Sequence, residues 1–314
     1  MRLDAPMGRY RLRVLVAVSA SMLVLLLAIP ARAQDATVLA TEATGPVTPV
    51  MADHLRDALD RAQRDAHAAL LVRLDTPGGL VTSMRTIVQT FLNAAVPVVV
   101  WVAPSGAGAA SAGYLITSAA HVAVMAPGTN IGAATPIQLE GGEVLDKVVN
   151  DAASYARAVA EVHGRDVEFA EEATREGASL AADEAVDRGV VDLVAGTRTQ
   201  LLEALDGREV RLAAGRHATL QTAGATVVAY DASWVRRLLQ RLADPEIAFL
   251  LLSIGTLALV YELAQPGVGA GAAVGVILIL LALYALSVLP VSATGLALLA
   301  LAVALFVGEL FVPG

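Results

Sequence analysis

The chain has 314 residues, 56% of them apolar, with a net charge of −8 and no cysteine. The acidic balance, without an arginine stripe interleaved with aromatics, excludes nucleic acid as a partner. The missing cysteine excludes disulfides, zinc–thiolate sites and cysteine nucleophiles.

So high an apolar share does not suit one soluble domain, and the excess is local. Residues 14–29 form one apolar run, and residues 247–312 hold almost no charge. The N-terminus reads as a signal peptide over residues 1–33. Arg2, Arg9, Arg11 and Arg13 form its basic region, Val14 to Ile29 its apolar core, and Ala31-Arg-Ala33 a small-x-small cleavage site. An uncleaved signal anchor is the alternative, and both place the next domain outside the cytoplasm.

Residues 34–200 alternate apolar strands with helices. Strands are expected at Val38–Ala40, Ala69–Leu74, Pro97–Val102, Val122–Met125 and Val190–Ala195. Helices are expected at Asp53–Ala66, Thr82–Ala94, Ser111–Ala120, Lys147–His163, 167–176 and 180–188. Continuous apolar strands between helices imply a parallel sheet covered on both faces, an α/β fold. Residues 201–245 change character: Arg208–Leu212, Ala218–Gln221 and Thr226–Ala229 suggest a small β extension. An amphipathic stretch follows, with Trp234, Leu238, Leu239 and Leu242 on one stripe and Arg236, Arg237 and Arg241 beside it. Those arginines would lie outside, against the positive-inside tendency, so translocation by the signal peptide is expected to dominate orientation.

Residues 246–314 read as a membrane domain with about three transmembrane helices, at 247–264, 271–289 and 293–310; a span needs roughly 20 apolar residues. Glu262-Leu-Ala-Gln-Pro-Gly267 recurs as Glu309-Leu-Phe-Val-Pro-Gly314. The repeat suggests a duplicated helical hairpin whose last half is missing, so a C-terminally truncated product is expected.

Acyl-bond hydrolysis needs a nucleophile, a base and donors for the oxyanion. Ser111 opens a helix after the small-residue loop Gly106-Ala-Gly-Ala-Ala110. A helix N-terminus offers free N–H groups, although a serine there is also an ordinary helix cap. Asp75-Thr-Pro-Gly-Gly79 ends a strand, where open α/β sheets place ligands, and its glycines can turn N–H groups toward an oxyanion or simply make a turn. The base is histidine or lysine. Among His54, His67, His121, His163 and His217, only His121 lies near the motif. Lys147 is the only lysine among 22 basic residues and opens a long helix after the Gly-containing stretch Gln138–Asp146. An amine removed from water gives up its proton and can accept one from a serine.

Leu74-Asp-Thr-Pro-Gly-Gly79, Pro97-Val-Val-Val-Trp-Val102, Gly106-Ala-Gly-Ala-Ala-Ser-Ala-Gly-Tyr114 and Met125-Ala-Pro-Gly-Thr-Asn-Ile-Gly-Ala133 occur in this order. The series resembles the NfeD family of membrane-bound, ClpP-class serine proteases, the stomatin operon partner proteins, from about residue 36 to the end. The resemblance implies a ClpP/crotonase-like α/β domain followed by transmembrane helices, with Ser111 as nucleophile and Lys147 as general base. It implies an oxyanion hole from Gly78, Gly79 and Ala112, and neither metal nor cofactor. The implied substrate is a hydrophobic peptide segment, notably of a stomatin-like partner. The implied setting is the bilayer of a bacterial cell membrane, multi-pass, with the protease domain on the periplasmic side and homo-oligomerisation expected. The family's long form ends in a small OB-like domain, which the expected C-terminal truncation would remove. A non-catalytic scaffold for a stomatin-like protein is the competing reading. A crotonase-type acyl-CoA enzyme, which would work through glutamates in the cytoplasm, fits the signal peptide and spans poorly.

Overall fold

In a computed structural model of the chain, the structure describes residues 36–136, 145–242, 245–265 and 269–288. The expected signal peptide, the third apolar segment and the second Pro-Gly repeat lie outside these residues.

The chain opens with β1 (Thr37–Thr44), followed by α1 (Pro49–Arg64) and β2 (Ala69–Asp75). Helix α1 starts four residues before the expected Asp53. Thr48 caps it, its Oγ1 accepting from the Met51 N–H at 3.3 Å, and Pro49 stands in the first turn, where it has no N–H to waste. Next come α2 (Val81–Leu92), β3 (Val98–Val102), β4 (Gly108–Ala110), α3 (Ala112–Ser118), β5 (Val122–Met125) and β6 (Asn130–Gly132). After residues 137–144, α4 (Asp146–Val162), α5 (Val167–Arg175), β7 (Ser179–Ala181), α6 (Ala182–Asp187), β8 (Leu193–Val194) and α7 (Arg198–Leu205) complete the α/β alternation. The expected helix at 180–188 is therefore shorter, because Ser179–Ala181 pairs antiparallel with β6.

A six-stranded parallel sheet in the order β11-β1-β2-β3-β5-β8 forms the centre, with β11 at Thr226–Ala229. The strands read as continuous apolar runs because both faces are covered. Leu70, Val72, Val98, Val100, Val102 and Met125 pack beneath α1 to α3, whereas Leu71, Val99, Trp101, Val122 and Val124 face α7 and a small hairpin. That hairpin pairs β9 (Glu209–Arg211) with β10 (His217–Thr219). Of the expected β extension, only these two strands stand apart. Thr226–Ala229 instead joins the main sheet beside β1, a parallel pairing across about 190 residues that local pattern does not encode. A second sheet, β4-β6-β7, carries the loops above the C-terminal ends of the central strands.

The last described elements are α8 (Trp234–Leu242), α9 (Pro245–Ala264) and α10 (Ala270–Val288). Among the described residues one helix, Glu246–Ala264, is long and apolar enough to cross a membrane, with a mean hydropathy of 2.1; Ala270–Leu283 is a shorter apolar stretch. Helices α9 and α10 meet at glycines. A β-carbon on Gly255 would lie 2.9 Å from the Gly275 carbonyl oxygen, and one on Gly275 2.7 Å from that of Gly255. Close backbone approach of this kind is how apolar helices associate within lipid, where water drives nothing. Glu262 closes the turn between them, accepting from the Gly269 and Gly271 amides at 2.7 and 3.0 Å.

Candidate active site

Ser111 stands between β4 and α3 with φ 54° and ψ −113°. This backbone is costly for a residue with a β-carbon and persists only where neighbours impose it. They do so through two hydrogen bonds in series: Ser111 N–H donates to the Gly132 carbonyl at 2.8 Å, and Tyr114 N–H to the Ser111 carbonyl at 3.1 Å. The Ser111 side chain does not cap α3. The residue is half-buried and its hydroxyl has no hydrogen-bond partner among the described residues, which separates it from an ordinary helix-capping serine.

The glycine turn reaches the same point from β2. Thr76 N–H donates to the Gly108 carbonyl at 2.8 Å and Ala110 N–H to the Thr76 carbonyl at 3.1 Å, so the turn and β4 run as a short pair. Asp75 Oδ1 accepts from the Gly108 amide at 3.1 Å. Gly78 has φ 118°, and a β-carbon there would meet Ser111 Cβ at 2.8 Å and Oγ at 3.2 Å. Its N–H is occupied by Thr76 Oγ1 at 3.1 Å. The Gly79 amide has no hydrogen-bond partner among the described residues. Neither does that of Ala112, which is the first residue of α3 and so has no intrahelical acceptor. Two N–H groups without a partner among the described residues thus lie on the residue after the serine and on the residue after Gly78, which itself abuts the serine. Val47 fixes the glycine turn from its far side: Val47 N–H donates to the Gly78 carbonyl at 2.8 Å, and Leu80 N–H to the Val47 carbonyl at 2.9 Å.

Lys147 lies in the first turn of α4 and is exposed. It has no ion pair or hydrogen bond among the described residues, and none joins it to Ser111. The expected withdrawal from water is absent here, because burial of α4 begins only at Ala153. Around Lys147 the turn shows apolar surface, Leu145 being 56% exposed and Val148 38%. Further along, α4 is anchored by the Arg85–Asp151 ion pair at 2.8 Å and by Arg85 over the Tyr155 ring at 4.4 Å.

Four of the five histidines are engaged elsewhere, and His217 lies exposed on β10 of the small hairpin. His67 Nδ1 lies 2.7 Å from Thr37 Oγ1, and His54 Nε2 2.7 Å from Thr41 Oγ1. His121 Nδ1 accepts from the Val98 N–H at 3.1 Å, at the N-terminal end of β3 and so at the opposite edge of the sheet from the glycine turn. It packs against His163, ring centroids 5.2 Å apart. Burial, reinforced for His163 by Arg165, pulls both rings down to about 4. Serine–histidine pairing through His121 has no geometric support.

A parallel α/β domain with a strained serine at its strand ends, followed by an apolar helical hairpin, defines a membrane-attached protein of the ClpP-like class. The chain belongs to the NfeD family: residues 40–201 match the NfeD1b N-terminal domain and residues 246–314 the NfeD integral membrane domain. It is 33% identical over 300 residues to the membrane-bound protease PH1510 of Pyrococcus horikoshii, covering 93% of this chain and 68% of that protein. Two solved structures of the 1510-N membrane-bound stomatin-specific protease are similar. A lysine-to-alanine mutant in complex with a substrate peptide matches with a TM-score of 0.64 and 32% identity, over 67% of this chain and 99% of that one. A serine-to-alanine mutant matches with a TM-score of 0.61 and 33% identity, over 63% and 99%.

Val47, Asp75 and Gly132 hold the site without having been singled out for it in the sequence. Asp75 and Gly132 fall inside the quoted motifs and were within reach. Val47 carries no local signal, since its role arises from pairing with residues 31 to 33 positions later.

Proposed function

We propose that this chain is a membrane-bound serine endopeptidase acting on hydrophobic peptide segments, with a stomatin-like membrane protein as substrate. The observation that carries the reading is Ser111, held at positive φ against Gly78 with a side chain that does not cap the helix, the next amides on both segments, Gly79 and Ala112, having no partner among the described residues. Lys147, as a neutral amine, takes the Oγ proton while Oγ attacks the scissile carbonyl. The Gly79 and Ala112 amides hold the oxyanion, a contribution of about 3–4 kcal/mol per well-placed donor. Gly78, whose own N–H is on Thr76, contributes the room its missing side chain leaves. The departing amine receives the proton from Lys147, and water then cleaves the acyl-enzyme by the reverse sequence. A hydrophobic peptide laid across Val81, Leu145 and Val148, all exposed, would exclude water from Lys147 and complete the pair.

The relatives support this reading through what they are: a stomatin-specific protease, studied with a substrate peptide and as serine and lysine mutants. A multi-pass membrane domain, a protease domain on the periplasmic side and a homo-oligomer belong to the same proposal. The exposed Lys147, without a partner among the described residues, favours one rival, a scaffold that organises a stomatin-like protein without cutting it.

Labelling of the detergent-solubilised chain with a fluorophosphonate probe decides between them. The endopeptidase reading expects labelling that Ser111→Ala abolishes, together with peptide cleavage that Lys147→Ala reduces by at least about 10³-fold. Labelling indifferent to Ser111, or full cleavage by Lys147→Ala, would reject it.

A further inference from the structure

The helix that leads into the membrane also grips the segment that holds the glycine turn. Gln240, on α8, uses both ends of its amide on the segment between β1 and α1. Its Nε2 donates to the Pro46 carbonyl at 2.7 Å, and its Oε1 accepts from Thr48 Oγ1 at 2.7 Å. The residue between those two contacts is Val47, whose N–H and carbonyl hold Gly78 and Leu80. The approach of Val47 to Gly79 is so close that a β-carbon on Gly79 would sit 2.4 Å from the Val47 carbonyl oxygen. One side chain on α8 therefore brackets the residue that sets the orientation of the Gly78–Gly79 peptide and of the free Gly79 amide. One further contact seats α8 on the domain: Arg236 pairs with Asp57 on α1. On the opposite stripe Leu242 packs with Ala248 at the start of α9, whereas Trp234 and Leu238 are 70% and 47% exposed.

We infer that Gln240 is a positioning residue for the oxyanion hole, through which the seating of the membrane-proximal helix sets the rate of peptide cleavage. The inference rests on the serine-protease reading. Gln240 touches neither substrate nor Ser111; it acts through Pro46 and Thr48 on Val47, and through Val47 on Gly79. Released from Gln240, the Val47 segment drifts and the Gly79 amide loses its aim. A donor misaligned by a fraction of an ångström costs transition-state stabilisation while leaving ground-state binding nearly intact.

The test uses the full chain in detergent or proteoliposomes. Gln240→Ala is expected to lower kcat about 10- to 100-fold with KM within about threefold, and to weaken a peptide aldehyde inhibitor in parallel, because its hemiacetal oxygen uses the same amides. The affinity of an unreactive substrate peptide, measured in a Ser111→Ala background, stays unchanged. Gln240→Glu keeps an acceptor for Thr48 but loses the donor to Pro46, so it falls between wild type and Gln240→Ala. Arg237→Ala, on the same helix without a side-chain hydrogen bond to residues 45–48, leaves kcat as it was. Hydrogen exchange at the Val47 and Leu80 amides reads the link directly and requires no catalysis; it is expected to rise in Gln240→Ala. Unchanged exchange overturns the inference, as does a loss of thermal stability with aldehyde affinity unaltered. Faster exchange in a chain that neither labels nor cleaves would keep the link and reject the protease reading.

Discussion

Gly78 is where it is because Ser111 leaves no room for a side chain: a β-carbon would stand 2.8 Å from Ser111 Cβ and 3.2 Å from its Oγ. Gly78→Ala therefore presses a methyl group onto Ser111 and also strains a backbone at φ 118°. Peptidase activity should fall by at least about 10²-fold, with a stability cost of about 1–3 kcal/mol. Turnover and denaturation of the same preparation separate the two effects.

Ser111→Gly and Ser111→Ala both remove the hydroxyl, yet their stabilities should differ. Glycine accepts φ 54°, whereas alanine keeps the strain. The glycine variant is expected to be the more stable by about 1–2 kcal/mol, measured as a shift in thermal midpoint. Equal stabilities would show that the local geometry is not strained.

The His121–His163 pair makes stability depend on acid. Both rings titrate at about 4 in the folded chain, below the ordinary 6.5, because burial penalises the charged form and Arg165 stands nearby. Between those values the unfolded chain binds protons that the folded chain does not. Their contribution is thus complete above about pH 6.5 and declines as pH falls toward about 4, by a few kcal/mol for the pair. Melting curves between pH 4.5 and pH 7.5, a range of about that window, should show this slope, and His121→Asn with His163→Asn should flatten it.

Asp192 joins two arginines beneath the sheet. It takes Arg165 at 3.0 Å and Arg208 at 2.8 Å, and accepts from the Ala123 amide at 2.8 Å. Arg165 is only 7% exposed, and burial pulls its guanidinium below the usual range. Asp192→Ala strands that cation, so a loss of about 3 kcal/mol is expected in chemical denaturation. Peptidase activity per folded molecule should hardly change.

The parts of this molecule visible in the sequence are those where a short stretch decides its own structure. Val98–Val102 reads as a strand buried on both faces and is one, all five residues being buried. The Gly-rich turns read correctly because glycine is demanded locally. Long-range pairing was less legible. Nothing in Thr226–Ala229 says that it will sit beside β1, and nothing at Gln240 points to Pro46 and Thr48, more than 190 residues earlier. Lys147 was conspicuous as a residue type, but its exposure is set by where α4 begins to pack, at Ala153. Gly78 fits the site through the side chain it lacks, whereas its amide was already committed to a threonine two residues away. Hydrogen bonding and packing, not sequence, distinguish it from Gly79, which lies against Val47.

The pairing of β11 with β1 also decides how the domain answers to force. Thr226 N–H donates to the Ala36 carbonyl at 3.0 Å, and Tyr230 N–H to the Ala40 carbonyl at 2.7 Å. The chain starts this pair at one end, near residue 36, and leaves for the membrane helix from the other, near residue 230. Tension between those two points slides the parallel strands past each other, so their hydrogen bonds share the load in shear instead of opening one by one.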